Sequence, residues 1–207
     1  MINLTPVVKN IIILNIIFFI LDILSPSSDF GYCIPGVHVI GGEMSVVKGY
    51  LSLWGVGTDC FKPFQLFTYM FLHGGFLHIF FNMLMLAFAG PPLEHYLGMK
   101  KFTILYTVTG LGAAGFHFLI GLYLPQAQFH TLVGASGAVY GVLTAFGIIF
   151  ANQEMRLMIP PVAVKAKYLV FIFLIVGLIM GRNDNVADLA HFGGVLFGFF
   201  MVSAWRR

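Results

Sequence analysis

Gly134-Ala135-Ser136-Gly137 opens one apolar segment of this chain, and Ala190-His191-Phe192-Gly193-Gly194 lies in another, with His191 55 residues after Ser136. A histidine within a bilayer is energetically costly, so its presence there suggests a functional site. A lone serine in such a helix more often bonds a backbone carbonyl or a neighbouring helix. A serine together with a histidine indicates a catalytic site more strongly than either residue alone, because a serine becomes a nucleophile only where a base can accept its proton.

The composition excludes a soluble domain. Of the 207 residues 59% are hydrophobic and only 9% are charged, and the mean hydropathy is +0.93. Soluble domains carry about 25% charged residues. At about 20 residues per span, this length allows roughly five to seven membrane helices. The net charge of +3 is small and dispersed, so nucleic-acid binding is not predicted.

The pattern of apolar segments predicts an all-α polytopic membrane bundle of six transmembrane helices, forming a single domain over residues 1–207. The segments are Val7–Leu24, Phe76–Glu94, Phe102–Leu124, Ser136–Ala151, Val162–Met180 and Val186–Trp205. The second and fourth are short for a full crossing, which is tolerated where a segment faces protein or a water-filled cavity. Ser25-Pro26-Ser27 lacks the small-residue pattern of a signal cleavage site, so we expect an uncleaved first span.

The connection from Ser25 to about Gly75 is too apolar for a simple loop. Within it, Tyr50-Leu51-Ser52-Leu53-Trp54 predicts an interfacial helix with Trp54 at the depth of the lipid headgroups. Cys33 and Cys60 also fall in this connection. Without geometry, two cysteines favour unpaired thiols, although a disulfide stays open if that side is oxidising.

The distribution of lysine and arginine predicts that both termini face the cytoplasm. With the N-terminus inside, three of the 11 basic residues fall on the outer side, namely Lys48, Lys62 and Arg182. The other eight fall on the cytoplasmic side: Lys9, Lys100, Lys101, Arg156, Lys165, Lys167, Arg206 and Arg207.

The surroundings of Ser136 suit a nucleophile. Gly134 and Gly137 remove side chains beside it, which lets backbone or substrate approach. At the start of a helix, free N–H groups favour the negative charge of an oxyanion. The G-x-S-x-G pattern of soluble hydrolases is not met, because Ala138 occupies the last glycine position.

Glycines also follow the histidine. Gly194 and Gly198 form a G-x-x-x-G pattern, which permits a neighbouring helix to approach closely. The segment that carries Gly137 is the natural neighbour, and such packing would set Ser136 opposite His191.

A third element is His78-Ile79-Phe80-Phe81-Asn82, where His78 and Asn82 are four residues apart and share one helical face. Both side chains can donate hydrogen bonds, and with the Ser136 N–H they would stabilise a tetrahedral oxyanion. The alternative is that they join helices, a common role for such residues in membranes.

The chain lacks the residue patterns that other intramembrane chemistries require. A zinc protease needs H-E-x-x-H, whereas Glu94-His95 has the reverse order, so no metal and no cofactor is predicted. Aspartyl chemistry needs two carboxylates at membrane depth, whereas Asp22 and Asp188 lie near the ends of segments. Asp188 either starts the last helix or orients His191. A proton-relay transporter would show paired halves with broken helices, and no such repeat is present.

Taken together, these motifs resemble the rhomboid family of intramembrane serine proteases, of the bacterial six-span type. The likeness covers nearly the whole chain. It rests on the G-x-S-G of Gly134–Gly137, the tyrosine that packs on the catalytic histidine (Tyr140), His191 with Gly194 and Gly198, the H-x-x-x-N pair His78 and Asn82, the E-x-x-x-G of Glu94 and Gly98, and His73. The family often has Trp-Arg in the first loop. Here the stretch is Pro63-Phe64-Gln65-Leu66, which leaves the anchoring of that loop open.

The resemblance implies a dyad of Ser136 and His191, an oxyanion hole from the Ser136 N–H, His78 and Asn82, and a first loop partly embedded in the membrane. It implies single-span membrane proteins as substrates, cleaved within or near their transmembrane segment, a lateral gate in the fifth segment and a bacterial inner-membrane location. The alternative is a catalytically silent rhomboid-like protein that binds membrane clients. Such relatives usually lack the serine or the histidine, and this chain has both.

Overall fold

Helices dominate the computed structural model. It describes residues 3–30, 43–56, 58–124, 131–156, 163–180 and 185–205. Of these, residues 156, 176–180 and 185–188 are described by their backbone alone. The helices are α1 (Pro6–Leu24), α2 (Val46–Leu51), α3 (Gln65–Thr68), α4 (Phe76–Tyr123), α5 (Ser136–Ile149), α6 (Leu169–Met180) and α7 (Asn185–Trp205), with 3₁₀ helices at Tyr69–Phe71 and Ala166–Tyr168. Two short antiparallel strand pairs are β1 (Ser27–Asp29) with β2 (Glu43–Ser45), and β3 (Glu154–Arg156) with β4 (Ala163–Lys165).

The long helix α4 contains both the second and the third predicted segments. Its backbone departs from helical geometry at Gly98, where φ is 77°. Such a positive φ favours glycine, so the chain changes direction there. The helices α1 and α4 are long and apolar enough to cross a bilayer, and shorter apolar helices follow at Ser136–Ile149, Ala166–Ile175 and Leu189–Trp205. The count of six spans therefore stays a prediction.

Two predicted boundaries are wrong. The fifth helix does not start at Val162, because residues Ala163–Lys165 pair as a strand with Glu154–Arg156, and α6 begins only at Leu169. In the first loop, the helix lies earlier than Tyr50–Trp54. It ends at Leu51, after which Leu53 exchanges backbone hydrogen bonds of 3.0 and 2.9 Å with Leu132.

Trp54 is not positioned as an interfacial anchor. Its side chain is only 3% exposed, and its indole N–H donates a 2.8 Å hydrogen bond to the Gly49 carbonyl. The tryptophan therefore packs inside the first loop instead of pointing to a headgroup layer.

The side chain of Gln65 anchors the first loop. This side chain is 1% exposed. The Oε1 atom accepts from the backbone N–H of Trp54 at 3.3 Å and of Lys62 at 3.1 Å. The Nε2 atom donates to the carbonyls of Tyr50 and Cys60, both at 3.0 Å. All four hydrogen-bonding positions of the amide are filled, so an uncharged side chain holds the loop together.

The cysteine prediction needs a correction. Cys60 is disulfide-bonded in the structure, so the expectation of two unpaired thiols is wrong for this residue. Cys33, the other residue of that prediction, lies outside the described residues.

Contacts tie α1 to the rest of the bundle at both of its ends. At its start, the buried carboxylate of Glu94 accepts hydrogen bonds from the Thr5 hydroxyl at 2.5 Å and from the backbone N–H groups of Val7 and Val8 at 3.1 and 3.0 Å. These N–H groups have no partner within the helix, so the carboxylate caps α1. At its other end, Asp22 accepts from Ser45 and forms an ion pair with Lys48 at 2.8 Å.

Helix α5 lies at the centre, between α4 and α7. Every residue from Gly137 to Gly147 is buried. On one side, a Cβ atom at Gly137 would overlap the side chain of Ala113 in α4. On the other side, a Cβ atom at Gly194 of α7 would overlap the Gly137 carbonyl, and one at Gly198 would lie 2.7 Å from the Gly141 carbonyl. Glycines thus set the close spacing of the three helices, as the sequence pattern predicts.

Candidate active site

Ser136 is the first residue of α5, and the backbone before it is fixed from two directions. The N–H of Gly134 donates a 3.0 Å hydrogen bond to the carbonyl of Tyr69, and Leu132 pairs with Leu53 of the first loop. Gly134 itself has a φ of 127°, a conformation that side chains other than glycine rarely adopt. The first loop therefore supports the turn that presents the serine.

The structure brings Ser136 and His191 together. The serine Oγ atom lies 2.7 Å from the histidine Nε2 atom, within the range of a strong O–H···N hydrogen bond. His191 is the seventh residue of α7, so it lies well inside that helix and not at its start. The contact depends on the glycine-mediated approach of α7 to α5 described above.

Tyr140 lies one helical turn after Ser136 and supports the histidine. The centres of the Tyr140 and His191 rings are 4.7 Å apart, with an interplanar angle of 42°. The Tyr140 hydroxyl donates a 2.8 Å hydrogen bond to the backbone carbonyl of Phe173 in α6. One side chain of α5 thus contacts both α6 and α7, and holds the imidazole in place.

His78 is oriented by the backbone of the segment before α4. The N–H of Gly74 donates a 3.1 Å hydrogen bond to the Nδ1 atom of His78. A backbone N–H can only donate, so this Nδ1 atom is an acceptor without a proton. In the neutral ring the proton is then on Nε2, which makes Nε2 a hydrogen-bond donor.

Gly134 lets His78 approach Ser136. A Cβ atom at Gly134 would lie 2.8 Å from the Cε1 atom and 3.0 Å from the Nε2 atom of His78, and 3.3 Å from the Ser136 Oγ atom. A side chain at position 134 would therefore clash with the imidazole, and glycine allows the His78 ring to lie close to the Ser136 hydroxyl. Such an arrangement can stabilise a negatively charged oxygen that forms next to the serine.

Asn82 lies one turn further along α4, on the same face as His78. Its Nδ2 atom donates a 2.8 Å hydrogen bond to the His78 carbonyl, and the side chain is buried. Within the described residues its Oδ1 atom has no hydrogen-bond partner. The structure thus places Asn82 next to His78, and no contact of Asn82 with Ser136 is seen in the described ranges. The amide nitrogen carries two hydrogens, so one is left for a further acceptor.

His73 precedes α4 and packs edge-to-face on His78, with ring centres 5.1 Å apart. The side chain is fully buried. Burial, together with the charge that His78 can carry, lowers the pKa of His73 to about 3. His73 is therefore uncharged at neutral pH, and it adds no positive charge beside His78.

Sequence reasoning missed Tyr69, which connects the first loop to the site. Its carbonyl accepts from Gly134, and its hydroxyl donates a 2.7 Å hydrogen bond to the Gly110 carbonyl in α4. A tyrosine in an apolar loop has no sequence signature that marks such a role. Asp188, for which the sequence favours the start of the last helix over a role in orienting His191, is the fourth residue of α7 and so does not start it, and its side chain is outside the described part. No cluster of three metal-ligating side chains occurs among the residues that the structure describes.

Comparison with known proteins places these features in a family. A family model described as the Rhomboid domain matches residues 61–207. The chain is 32% identical over 140 residues to RHOMBOID-like protein 5 of Arabidopsis thaliana, covering 68% of this chain and 43% of that protein. It is 34% identical over 145 residues to RHOMBOID-like protein 2 of the same plant, covering 67% and 41%. It is 29% identical over 140 residues to Rhomboid protease GluP of Bacillus subtilis, covering 68% and 25%. The chain spans less than half the length of each of these relatives.

Proposed function

The chain belongs to the rhomboid family of integral membrane proteins, and on this premise we propose that it is an intramembrane serine endopeptidase. One observation carries the proposal: the 2.7 Å contact between Ser136 Oγ and His191 Nε2. A general base must lie within hydrogen-bond reach of the proton that it removes, and this distance meets the requirement. A serine that served only in helix packing would have no need of an imidazole at its hydroxyl.

In the first step, the Nε2 atom of His191 takes the hydroxyl proton as Ser136 Oγ attacks a peptide carbonyl carbon. The carbonyl oxygen becomes negatively charged in the tetrahedral intermediate. The protonated His191 then gives its proton to the leaving amine, the C–N bond breaks and an ester to Ser136 is left. The Tyr140 ring restricts the imidazole during both transfers.

The negative oxygen is held by the Ser136 backbone N–H, His78 Nε2–H and the second N–H of the Asn82 amide. The approach of the His78 ring to Ser136 at Gly134 supports this assignment, and so does the Nε2 proton that the Gly74 contact requires. The N-terminus of α5 adds the partial positive charge of its free N–H groups. No cofactor or metal ion takes part in this chemistry.

Hydrolysis of the ester returns the enzyme to its starting state. His191 takes a proton from a water molecule, the hydroxide attacks the ester carbonyl and Ser136 Oγ leaves with the proton from His191. Water must therefore reach the site. Ser136 is half-buried and starts α5 at one end of the bundle, which is consistent with entry from that end.

The substrates that we propose are single-span membrane proteins. An amide within a helix is shielded and hydrogen-bonded, so the helix must unwind around the cleaved bond. Small residues and helix breakers near that bond are therefore expected. Helix α6 is the proposed lateral gate, and the hydrogen bond from Tyr140 to Phe173 is the described contact that such a movement would break.

The membrane arrangement is part of the same proposal. Six spans follow if α4 crosses the bilayer twice with its turn at Gly98 and if α5, α6 and α7 each cross once. The contacts at the two ends of α1, with Glu94 near that turn and with Lys48 in the first loop, support this path. With both termini cytoplasmic, the basic residues obey the positive-inside rule, and we assign the protein to a bacterial inner membrane as a single domain.

The decisive experiment measures cleavage of a model single-span substrate in liposomes by Ser136→Ala. We expect cleavage to be lost while the unfolding temperature is retained, whereas the matched control Ser203→Ala in α7 stays active. A fluorophosphonate probe should label Ser136 in the wild type and should fail to label it in His191→Ala. A wild-type protein that neither cleaves nor is labelled would instead indicate the catalytically silent client-binding alternative.

A further inference from the structure

A cavity lies at the end of the bundle opposite Ser136. Its volume is about 380 Å³. Ser136 begins α5 and Ile149 ends it, so at 1.5 Å per residue the cavity is about 20 Å from the nucleophile. The residues that line it come from the turn of α4 and the ends of α5 and α7: Tyr96, Leu97, Lys101, Ile149, Val202 and Trp205.

Apolar side chains form part of the lining of this cavity, and an exposed lysine lies at its rim. Val202 is buried, and Leu97 and Ile149 pack partly buried against the core. At the rim, the Nζ atom of Lys101 lies 5.8 Å above the ring of Trp205. A tryptophan at the end of a membrane helix is typical of the interface between headgroups and acyl chains.

No ion pair of Lys101 is seen in the part of the chain that the structure describes. Among the described residues the one ion pair joins Lys48 to Asp22, at the other end of the bundle. The carboxylate nearest to Lys101 in sequence, Glu94, is buried and occupied by hydrogen bonds from the start of α1. Lys100 precedes Lys101, and two arginines follow Trp205 in the sequence, so basic residues are frequent in the sequence next to the cavity lining.

The volume of the cavity favours an amphiphilic anion over an inorganic one. A water molecule has a share of about 30 Å³ in the liquid, so the cavity has the volume of roughly a dozen waters. An inorganic anion at Lys101 would leave the apolar walls in contact with water. An amphiphile with an anionic head and an aliphatic body fills both parts, and the bilayer supplies such molecules at high concentration.

We propose that this cavity binds one anionic phospholipid, with the phosphate at Lys101 and the start of an acyl chain against Leu97, Ile149 and Val202. The Lys101 ammonium can donate up to three hydrogen bonds, and the ring of Trp205 covers one side of it. A zwitterionic lipid carries a compensating cation in its headgroup, so it gains less from Lys101.

The tryptophans of the chain provide a direct test. The sequence has two, and Trp54→Phe leaves Trp205 alone as a fluorophore at the rim of the cavity. The full-length protein is placed in phosphatidylcholine nanodiscs that contain a graded fraction of phosphatidylglycerol brominated near the headgroup end of its acyl chains. Bromine quenches tryptophan at contact distance. We expect half-maximal quenching at a several-fold lower fraction of brominated phosphatidylglycerol than of brominated phosphatidylcholine.

Matched variants separate a defined site from general surface charge. A basic residue near a membrane surface changes the affinity for anionic lipid by about fivefold. Lys101→Gln should lower the preference for phosphatidylglycerol at least fivefold, and Lys101→Arg should retain it. Lys100→Gln removes the same charge one residue away, outside the cavity lining, and should lower the preference clearly less than Lys101→Gln does.

Three results would overturn the proposal. The first is equal quenching of Trp205 by the two brominated lipids in the Trp54→Phe protein with Lys101 intact. The second is an equal loss of preference in Lys100→Gln and Lys101→Gln, which would indicate diffuse attraction. The third is displacement of the lipid by millimolar inorganic phosphate, which would indicate a free-anion site. The measurement does not involve proteolysis, so its outcome is independent of the function proposed above.

Discussion

The backbone carbonyl of Gly137 occupies the position that a Cβ atom of Gly194 would need. Because no side chain fits between α5 and α7 at this point, the contact that joins Ser136 to His191 depends on a glycine that takes no part in the chemistry. Two helices with larger residues here would stand further apart, and His191, the proposed base, would lose reach of Ser136, the proposed nucleophile.

We expect Gly194→Ala to reduce cleavage strongly and to destabilise the protein by about 1–3 kcal/mol, because overpacking forces the backbones apart. The matched control is Gly115→Ala in α4, where a Cβ atom would have no neighbour within 4 Å. The control should be neutral or slightly stabilising, since alanine favours helix over glycine by up to about 1 kcal/mol. Cleavage rate and thermal unfolding of both variants check this. Equal effects of the two substitutions would contradict the packing argument.

His78→Ala should lower kcat by about 10²–10³-fold and leave KM nearly unchanged, because an oxyanion donor acts mainly in the transition state. The control is His95→Ala, which removes a histidine from the same helix. The Nδ1 atom of His95 lies 2.8 Å from the Pro91 carbonyl, one turn before it in α4. Steady-state kinetics with a single-span substrate distinguish the two variants. If kcat is retained in His78→Ala, the oxyanion role of His78 is wrong.

Two substitutions at Tyr140 separate its ring from its hydroxyl. Tyr140→Phe removes the hydrogen bond to Phe173 and keeps the ring on His191, so we expect a stability loss of about 1 kcal/mol and nearly full cleavage. Tyr140→Ala also removes the ring, which should cost about 3–5 kcal/mol and most of the activity. Denaturation curves and cleavage rates are compared. A Tyr140→Phe protein as inactive as Tyr140→Ala would show that the hydroxyl, and not the ring, positions His191.

Gln65→Glu tests the anchor of the first loop. The carboxylate replaces two N–H donors by an oxygen that faces the carbonyls of Tyr50 and Cys60, so we expect a loss of about 2–3 kcal/mol. Gln153→Glu makes the same change at an exposed position and should be within about 0.5 kcal/mol of the wild type. Thermal unfolding at pH 7 measures both, and an unchanged Gln65→Glu protein would refute the anchoring role.

The pKa of His73 predicts how stability depends on pH. In the folded state this pKa is about 3, below the ordinary value of 6.5, so between these values the unfolded chain binds a proton that the folded chain does not. Stability should therefore fall as the pH drops below 6.5, by about 1.4 kcal/mol per pH unit from this residue. His73→Asn should have a correspondingly shallower decline in unfolding experiments between pH 7.5 and 5. If the free energy of unfolding falls equally with pH in the wild type and in His73→Asn, the low pKa of His73 is wrong.

Periodicity and hydropathy located α1, α5 and α7 to within two residues, because long apolar runs have few alternatives to a helix in a membrane. The approach of Ser136 to His191 was also predictable, since glycines on both segments indicate where two helices can meet. The start of α6 was not predictable, because β3 and β4 pair through backbone hydrogen bonds, and a strand of three residues has no distinctive sequence pattern. The anchoring role of Gln65 depends on four partners from three parts of a loop, and no local pattern indicates it.

The cap on α1 has a consequence for how the protein is made. The carboxylate of Glu94 is synthesised 86 residues after the N–H group of Val8 that it binds. At ribosomal speeds of about 5–20 residues per second, the beginning of the first helix is without this acceptor for roughly 4–17 seconds. Helix α1 is therefore capped only after the chain has been synthesised as far as Glu94 in α4, which sets an order of events on its biogenesis.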